Sequence, residues 1–131
     1  MDLPKPGRCT VNFALGGRAE KDLTALRNPR ALAQFCLRFE RLTQGLEADG
    51  KISIKQYRKL NGHRPIDEIK YSGNGPAYRC FCFKEGTTYW LTHCEEKKGN
   101  SGQWYAQQAK TANKIRKKHI EKIGGIKNAN P

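Results

Sequence analysis

Negative charge is what this chain has least of. Its 131 residues hold 12 Asp and Glu against 25 Lys and Arg, a formal net charge of +13. That imbalance favours a polyanionic partner, nucleic acid before an anionic membrane surface; solubility or an acidic protein partner is the plainer alternative. No apolar run approaches the roughly 20 residues of a membrane-spanning helix. No charged segment followed by an apolar one opens the chain, which starts as the polar, proline-broken MDLPKPGRC. Cysteine occurs as an odd five, without a C-x-x-C pair, and no internal repeat is visible. These absences lead to the expectation of a cytoplasmic protein with reduced thiols and no membrane partner. A length of 131 residues suits a single domain, residues 1–131, able to bury a real core; 37% hydrophobic and 9% aromatic residues fit a globular chain.

The positive charge is uneven. From Lys97 onward there are nine Lys or Arg (97, 98, 110, 114, 116, 117, 118, 122 and 127) against one acid, Glu121. Periodicity predicts a short strand over 9–15, with Val11 and Phe13 on one face, then a short helix over 16–28 with Leu23 and Leu26 inward. A longer helix follows from Asn28 towards Gly50. Asn28 suits the N-cap and Pro29 the first helical position. Leu32, Phe35, Cys36, Phe39, Leu42 and Leu46 make its apolar stripe, so Cys36 is expected to be a core thiol. Residues 52–62 are ambiguous between a helical turn capped by Ser53 and an extended segment. Strands are predicted over 66–72, 77–83 and 87–94, with turns at 73–76 and 84–86. A basic helix runs from about 102 to 123, with Trp104, Ala112, Ile115 and Ile123 on one face, and residues 124–131 read as a frayed tail. The expected class is α+β: a small antiparallel sheet in β-α-α-β-β-β-α order with helices packed on one face.

Residues 76–98, PAYRCFCFKEGTTYWLTHCEEKK, concentrate three cysteines, a histidine and a tryptophan. Cys80 and Cys82, two apart on a strand, point the same way, whereas His93 and Cys94 point to opposite faces. Four-ligand zinc spacing is lacking, so the thiols are expected to pack as small hydrophobes, and no metal or cofactor is expected. With Tyr78, Cys80 and Cys82 turned to the helices, Arg79, Phe81 and Phe83 take the other side. Arg79 would then stand on an open sheet face, where a guanidinium can hold a phosphate bidentately and bases can stack on rings. Lys70, His93, Lys97, Lys98 and Tyr105 are the groups that could join it over one phosphodiester. The ordinary alternative for each is a solvated lysine or a satisfied structural histidine.

The segment IDEIKYSGNGPAYRCFCFKEGTTYWLTHCEEKK (66–98) resembles the second half of the RelE/HigB-type toxins of bacterial toxin–antitoxin pairs. The pieces are KLNG before the first strand, EIK within it, YR opening the next, and Leu91-x-His93 followed by Lys97 and Lys98. The element order is similar over about 9–123, and the motifs over 59–98. The HigB-like branch has L-x-H-x-F-x-K-K where this chain has LTHCEEKK, with Glu95 in the Phe position and Glu96 adding a second negative charge. The resemblance implies a toxin that cuts mRNA on the ribosome as a metal-free endoribonuclease. The ribose 2′-OH attacks the adjacent phosphate, which needs a base, an acid and positive charge around the phosphorane. By position it implies a phosphate-binding role for Arg79, with Lys70 in the same cluster. It further implies Lys97 and Lys98 as the basic pair, proton transfer by His93 or Glu68, and an aromatic role for Tyr105. Lys110, Lys114, Arg116 and Lys117 of the basic helix extend the phosphate-binding surface. The implied partners are mRNA on the ribosome and a cognate antitoxin, a helix-turn-helix protein whose acidic segment covers the basic surface.

Two other readings stand beside this one. The same scaffold is shared by ParE-like toxins that inhibit DNA gyrase without cutting RNA. A non-catalytic nucleic-acid-binding phage or accessory protein would use the basic helix 102–123 as its contact, and would lose binding with Arg116, Lys117 and Lys118 rather than with Arg79.

Overall fold

The computed structural model describes residues 10–26, 28–44, 55–72, 76–99 and 102–129. Cys9, Leu46, Gly50, Ser53 and most of the turn read at 73–76 lie outside the described residues. In chain order the elements are β1 (Thr10–Phe13), α1 (Ala19–Thr24), α2 (Pro29–Thr43), β2 (Tyr57–Lys59), β3 (Ile66–Tyr71), β4 (Tyr78–Glu85), β5 (Thr88–Glu96) and α3 (Gly102–Ala129). They form a five-stranded sheet in the order β1-β5-β4-β3-β2. The class is α+β, as expected.

The local reasons are legible. Asn28 sits in extended backbone, and its side chain accepts from the amides of Arg30 at 3.0 Å and Ala31 at 3.3 Å, with Pro29 in the first turn. From there Ala31, Phe35, Phe39 and Leu42 bury one face. Arg38 is buried on that same face. Cys36 is only half-buried, because the buried stripe centres on Phe35 and Phe39 rather than on the neighbouring Leu32–Cys36 row. Between β4 and β5 the hairpin closes through Gly86 at φ +62, a conformation that glycine adopts without a Cβ penalty.

Three features depart from the expected sheet. β1 pairs with β5 in parallel, so the sheet is mixed rather than antiparallel. Residues 57–59, ambiguous in sequence, form the antiparallel edge strand β2. The third feature is a bulge in β5. Phe81 pairs with His93 but Cys82 pairs with Leu91, leaving Thr92 as the extra residue. Thr92 Oγ1 donates to the Phe81 carbonyl at 3.2 Å. The bulge lets Leu91 and Cys94, three positions apart, enter the same core.

Two cores result, one on each side of the sheet. Cys80, Cys82, Ile69, Tyr89 and Leu91 pack with Phe35 and Phe39 of α2 and Leu23 of α1. The thiols are thus small core hydrophobes; burial raises the pKa of both Cys80 and Cys82. Phe81, Phe83, Ile66 and Leu60 pack instead with Ala112 and Ile115 of α3, next to Trp90, Trp104 and Tyr105. Successive residues of a strand face opposite ways, so α3 lies across the face opposite to α1 and α2. It continues through Gly124 and Gly125 to Ala129, beyond the fraying expected from residue 124. Glycine costs a helix only about 1 kcal/mol per residue, and neither of these takes a positive φ that would end it.

Candidate functional site

The strand register gathers charge at one end of the α3 side of the sheet. Arg58 of β2 is paired with Glu68 of β3, Lys70 of β3 with Arg79 of β4, and Arg79 in turn with Glu95 of β5. Paired residues share a face, so Arg58, Glu68, Lys70, Arg79 and Glu95 stand together. The order in sequence is scattered over nearly forty residues; the meander alone assembles it.

Glu68 is the centre of the group. Its carboxylate is fully buried, with Arg58 Nη2 at 2.8 Å from Oε1 and Arg79 Nε at 3.6 Å from Oε2. A carboxylate is tolerated there because two guanidiniums flank it. Tyr105, at the start of α3, lies under two cations: Arg58 is 5.1 Å and Lys97 5.7 Å from its ring centre. Lys97 is held at the end of the β4–β5 ladder by its backbone amide, which donates to the Ala77 carbonyl at 2.7 Å. Burial lowers the pKa of Lys70; Glu68 opposes the shift, while the charges of Arg58, Arg79 and Lys97 add to it. An amine so placed gives up its proton more readily than an ordinary lysine.

Arg79 does not stand free on an open face. It is 5% exposed. Its Nη1 donates to the Tyr78 carbonyl at 2.9 Å and lies 3.4 Å from both the Tyr71 carbonyl and Ser72 Oγ. These contacts aim the guanidinium at the end of the β3–β4 ladder. It borders a cleft of about 500 Å³ there, lined by Arg38, Lys55, Gln56, Lys70, Ser72 and Arg79.

His93 is not part of this group. It is fully buried and stacks on Phe81 with ring centres 4.9 Å apart. Nε2 lies 2.8 Å from Gln108 Oε1, and Nδ1 lies 3.0 Å from Thr92 Oγ1. Burial pushes its pKa down to about 4. Both ring nitrogens are engaged and neither reaches solvent, so the ring lies beneath α3 and apart from the Glu68 group rather than beside Arg79 on an open face. His119 is likewise a core residue, accepting the Leu15 amide at Nδ1 (2.9 Å) beside Trp90 and Phe83.

Sequence reasoning passed over two members of the region. Arg58 lies in the ambiguous 52–62 segment, where extended alternation would have turned it to the same side as Glu68. His63 lines a cavity of about 220 Å³ together with Arg58, Asn61, Gly102 and Tyr105. It is a half-buried titratable group beside the tyrosine. The negative charge of Glu95, a departure from the toxin pattern, is met by an ion pair with Arg18. Lys98 is exposed beside Lys97. Along α3, Lys110, Lys114, Lys117 and Lys118 are exposed and Arg116 is half-buried, opposite the buried line of Ala109, Ala112, Ile115 and His119. The basic helix therefore presents a solvated cationic stripe separate from the Glu68 group.

Among the described residues no group of three His, Cys, Asp or Glu is gathered that could hold a metal ion, and no helix is long and apolar enough to cross a membrane. No protein-family model, curated protein or solved structure matches the chain.

Proposed function

We propose that the chain is a toxin-like endoribonuclease that cleaves mRNA on the ribosome, with the Arg58–Glu68–Lys70–Arg79–Lys97–Tyr105 group as its active face. The observation that carries this reading is the convergence of four cations and a tyrosine, from β2, β3, β4, the segment after β5 and α3, around one buried carboxylate. A +13 chain is drawn to RNA by phosphate charge. At the face, Arg79 and Lys97 supply positive charge to the scissile phosphate. Arg58 stays paired with Glu68 and holds Tyr105 by its ring. The 2′-oxygen attacks phosphorus as its proton leaves, the P–O5′ bond breaks, and the 5′-oxygen takes up a proton, leaving a 2′,3′-cyclic phosphate. Lys70, whose ammonium is already destabilised, suits the role of proton acceptor; Tyr105 and His63 are the groups placed to return one. Charge on the phosphorane, rather than a strong acid–base pair, carries most of the barrier lowering.

End-mapping of a translated mRNA in a purified translation system tests this reading. Discrete cuts ending in 2′,3′-cyclic phosphate are expected, falling by about a hundredfold in Lys70→Met and in Tyr105→Phe. DNA breaks without RNA cuts would replace the reading with gyrase inhibition.

A second reading has its own observation. The solvated stripe of Lys110, Lys114, Lys117 and Lys118 is a ready phosphate-tracking surface, and with His93 sealed the chain could bind RNA without cutting it. In that case no cyclic-phosphate ends form, and neutralising the stripe removes binding.

A further inference from the structure

Arg38 is the anomaly of the first core. It sits on the buried face of α2 and is 9% exposed, yet its Nε and Nη1 have no hydrogen-bond partner among the described residues. It forms no ion pair among them either. One side of the guanidinium is occupied by the Tyr71 ring, 5.7 Å from Cζ, and Tyr71 in turn stacks on Tyr78 at 6.4 Å. Burial of an unpaired guanidinium is expensive, and an anion is what relieves it. The charges of Arg41 and Arg79 add to that cost, since together with burial they hold Arg38 below its ordinary pKa.

Arg38 also borders a cleft, although its Nε and Nη1 are themselves covered. The cleft of about 500 Å³ at the end of the β3–β4 ladder is lined by Arg38 from the α2 side and by Lys70 and Arg79 from the α3 side, with Ser72, Gln56 and Lys55 between them. Among the described residues that line it there is no carboxylate. Two guanidiniums, two lysine side chains and a hydroxyl around one space make a strong site for an oxyanion with several acceptor atoms. The volume is far larger than one phosphate requires and suits a phosphate with its sugar attached.

We infer that Arg38, Lys70, Ser72 and Arg79 form a phosphate-binding pocket that takes a nucleotide-sized phosphate ester, with Arg38 as its anchor from the helical side. The pocket shares Lys70 and Arg79 with the proposed active face, so the inference rests on and deepens that reading: it adds Arg38 and Ser72 to the groups that hold the RNA phosphate. Binding itself does not require cleavage, and this keeps the two claims separable.

The test reads the arginine Nε–Hε resonances of the full chain by NMR while sodium phosphate is added, against sodium chloride at equal ionic strength. Saturable shifts of the Arg38 and Arg79 signals with phosphate, and not with chloride, are expected. Arg38→Gln should weaken the phosphate response at Arg79 by about tenfold or more. Arg38→Lys, which keeps the charge and the buried stem, should recover only part of it; it also guards against a folding defect in the glutamine variant. A non-cleavable 2′-O-methyl RNA oligonucleotide separates the sources of the phosphate. If it displaces inorganic phosphate from the pocket, the ligand is an RNA backbone; if phosphate and a nucleoside monophosphate bind while the oligonucleotide does not, it is a free nucleotide. An Arg38 signal that ignores phosphate, or moves equally with chloride, overturns the inference even if mRNA is cut. Saturable binding in a chain that never cuts mRNA leaves the pocket standing and removes the nuclease.

Discussion

Replacing His93 by glutamine separates a core histidine from a catalytic one. In the folded chain the imidazole is neutral, stacked on Phe81 and bonded to Gln108, with its pKa pushed from 6.5 to about 4 by burial. In the unfolded chain it takes a proton near 6.5. Between those two values the unfolded state binds more protons, so stability falls as pH falls. The contribution is fully present above about 6.5 and is lost as pH drops to about 4. At about 1.4 kcal/mol per pH unit, the window is worth about 3 kcal/mol, a large share of a small domain's stability. Urea unfolding of the wild type and of His93→Gln, each from pH 7.5 down to 4.5, measures it. Both proteins lose stability from carboxylates that protonate, so the difference between the curves isolates the histidine. The wild type should lose about 2–3 kcal/mol more than the variant over that range. Parallel curves, together with normal folding and lost mRNA cleavage in the variant, would refute the burial account and return His93 to the chemistry.

Three further outcomes follow from individual contacts. Asn28→Ala removes the acceptor for two amides at the start of α2 and should cost about 1 kcal/mol in urea unfolding. Gly17→Ala places a Cβ 2.8 Å from the Thr92 carbonyl oxygen and 3.1 Å from Ile115 Cγ2, and backbone cannot give way as a flexible side chain can; a loss of about 1–3 kcal/mol is expected, seen as a lower midpoint with an unchanged slope. Glu68→Gln leaves Arg58 and Arg79 facing each other without the buried carboxylate, and should destabilise the chain by about 3 kcal/mol by the same measurement.

The sequence revealed what depends on neighbours in the chain. Asn28 and Pro29 announced α2, alternation announced the β4–β5 hairpin, and the pairing of Cys80 with Cys82 on one face followed from a period of two. What it hid depends on distant partners. The parallel pairing of β1 with β5 joins strands separated in the chain by two helices and three other strands, which no local pattern records. His93 looked like an accessible ligand or base because its cover, Phe81 and Gln108, arrives from another strand and from α3. Arg79 was placed on the correct face, but its contacts with the Tyr71 and Tyr78 carbonyls come from the curl of the strand ends. Arg38 interrupts an apolar stripe that otherwise reads as hydrophobic, and only the fold brings it to a cleft beside Lys70 and Arg79.

The central claim is that the Glu68-centred face, and not the helix stripe, acts on RNA. Cleavage of a translated mRNA by Lys70→Met, measured beside a variant with Lys110, Lys114 and Lys117 all changed to glutamine, tests it most directly. The account predicts that Lys70→Met loses the cuts by about a hundredfold while the triple variant keeps the same cut sites, with only a shallower salt dependence. Full cleavage by Lys70→Met, or loss of all activity in the triple variant alone, would contradict it.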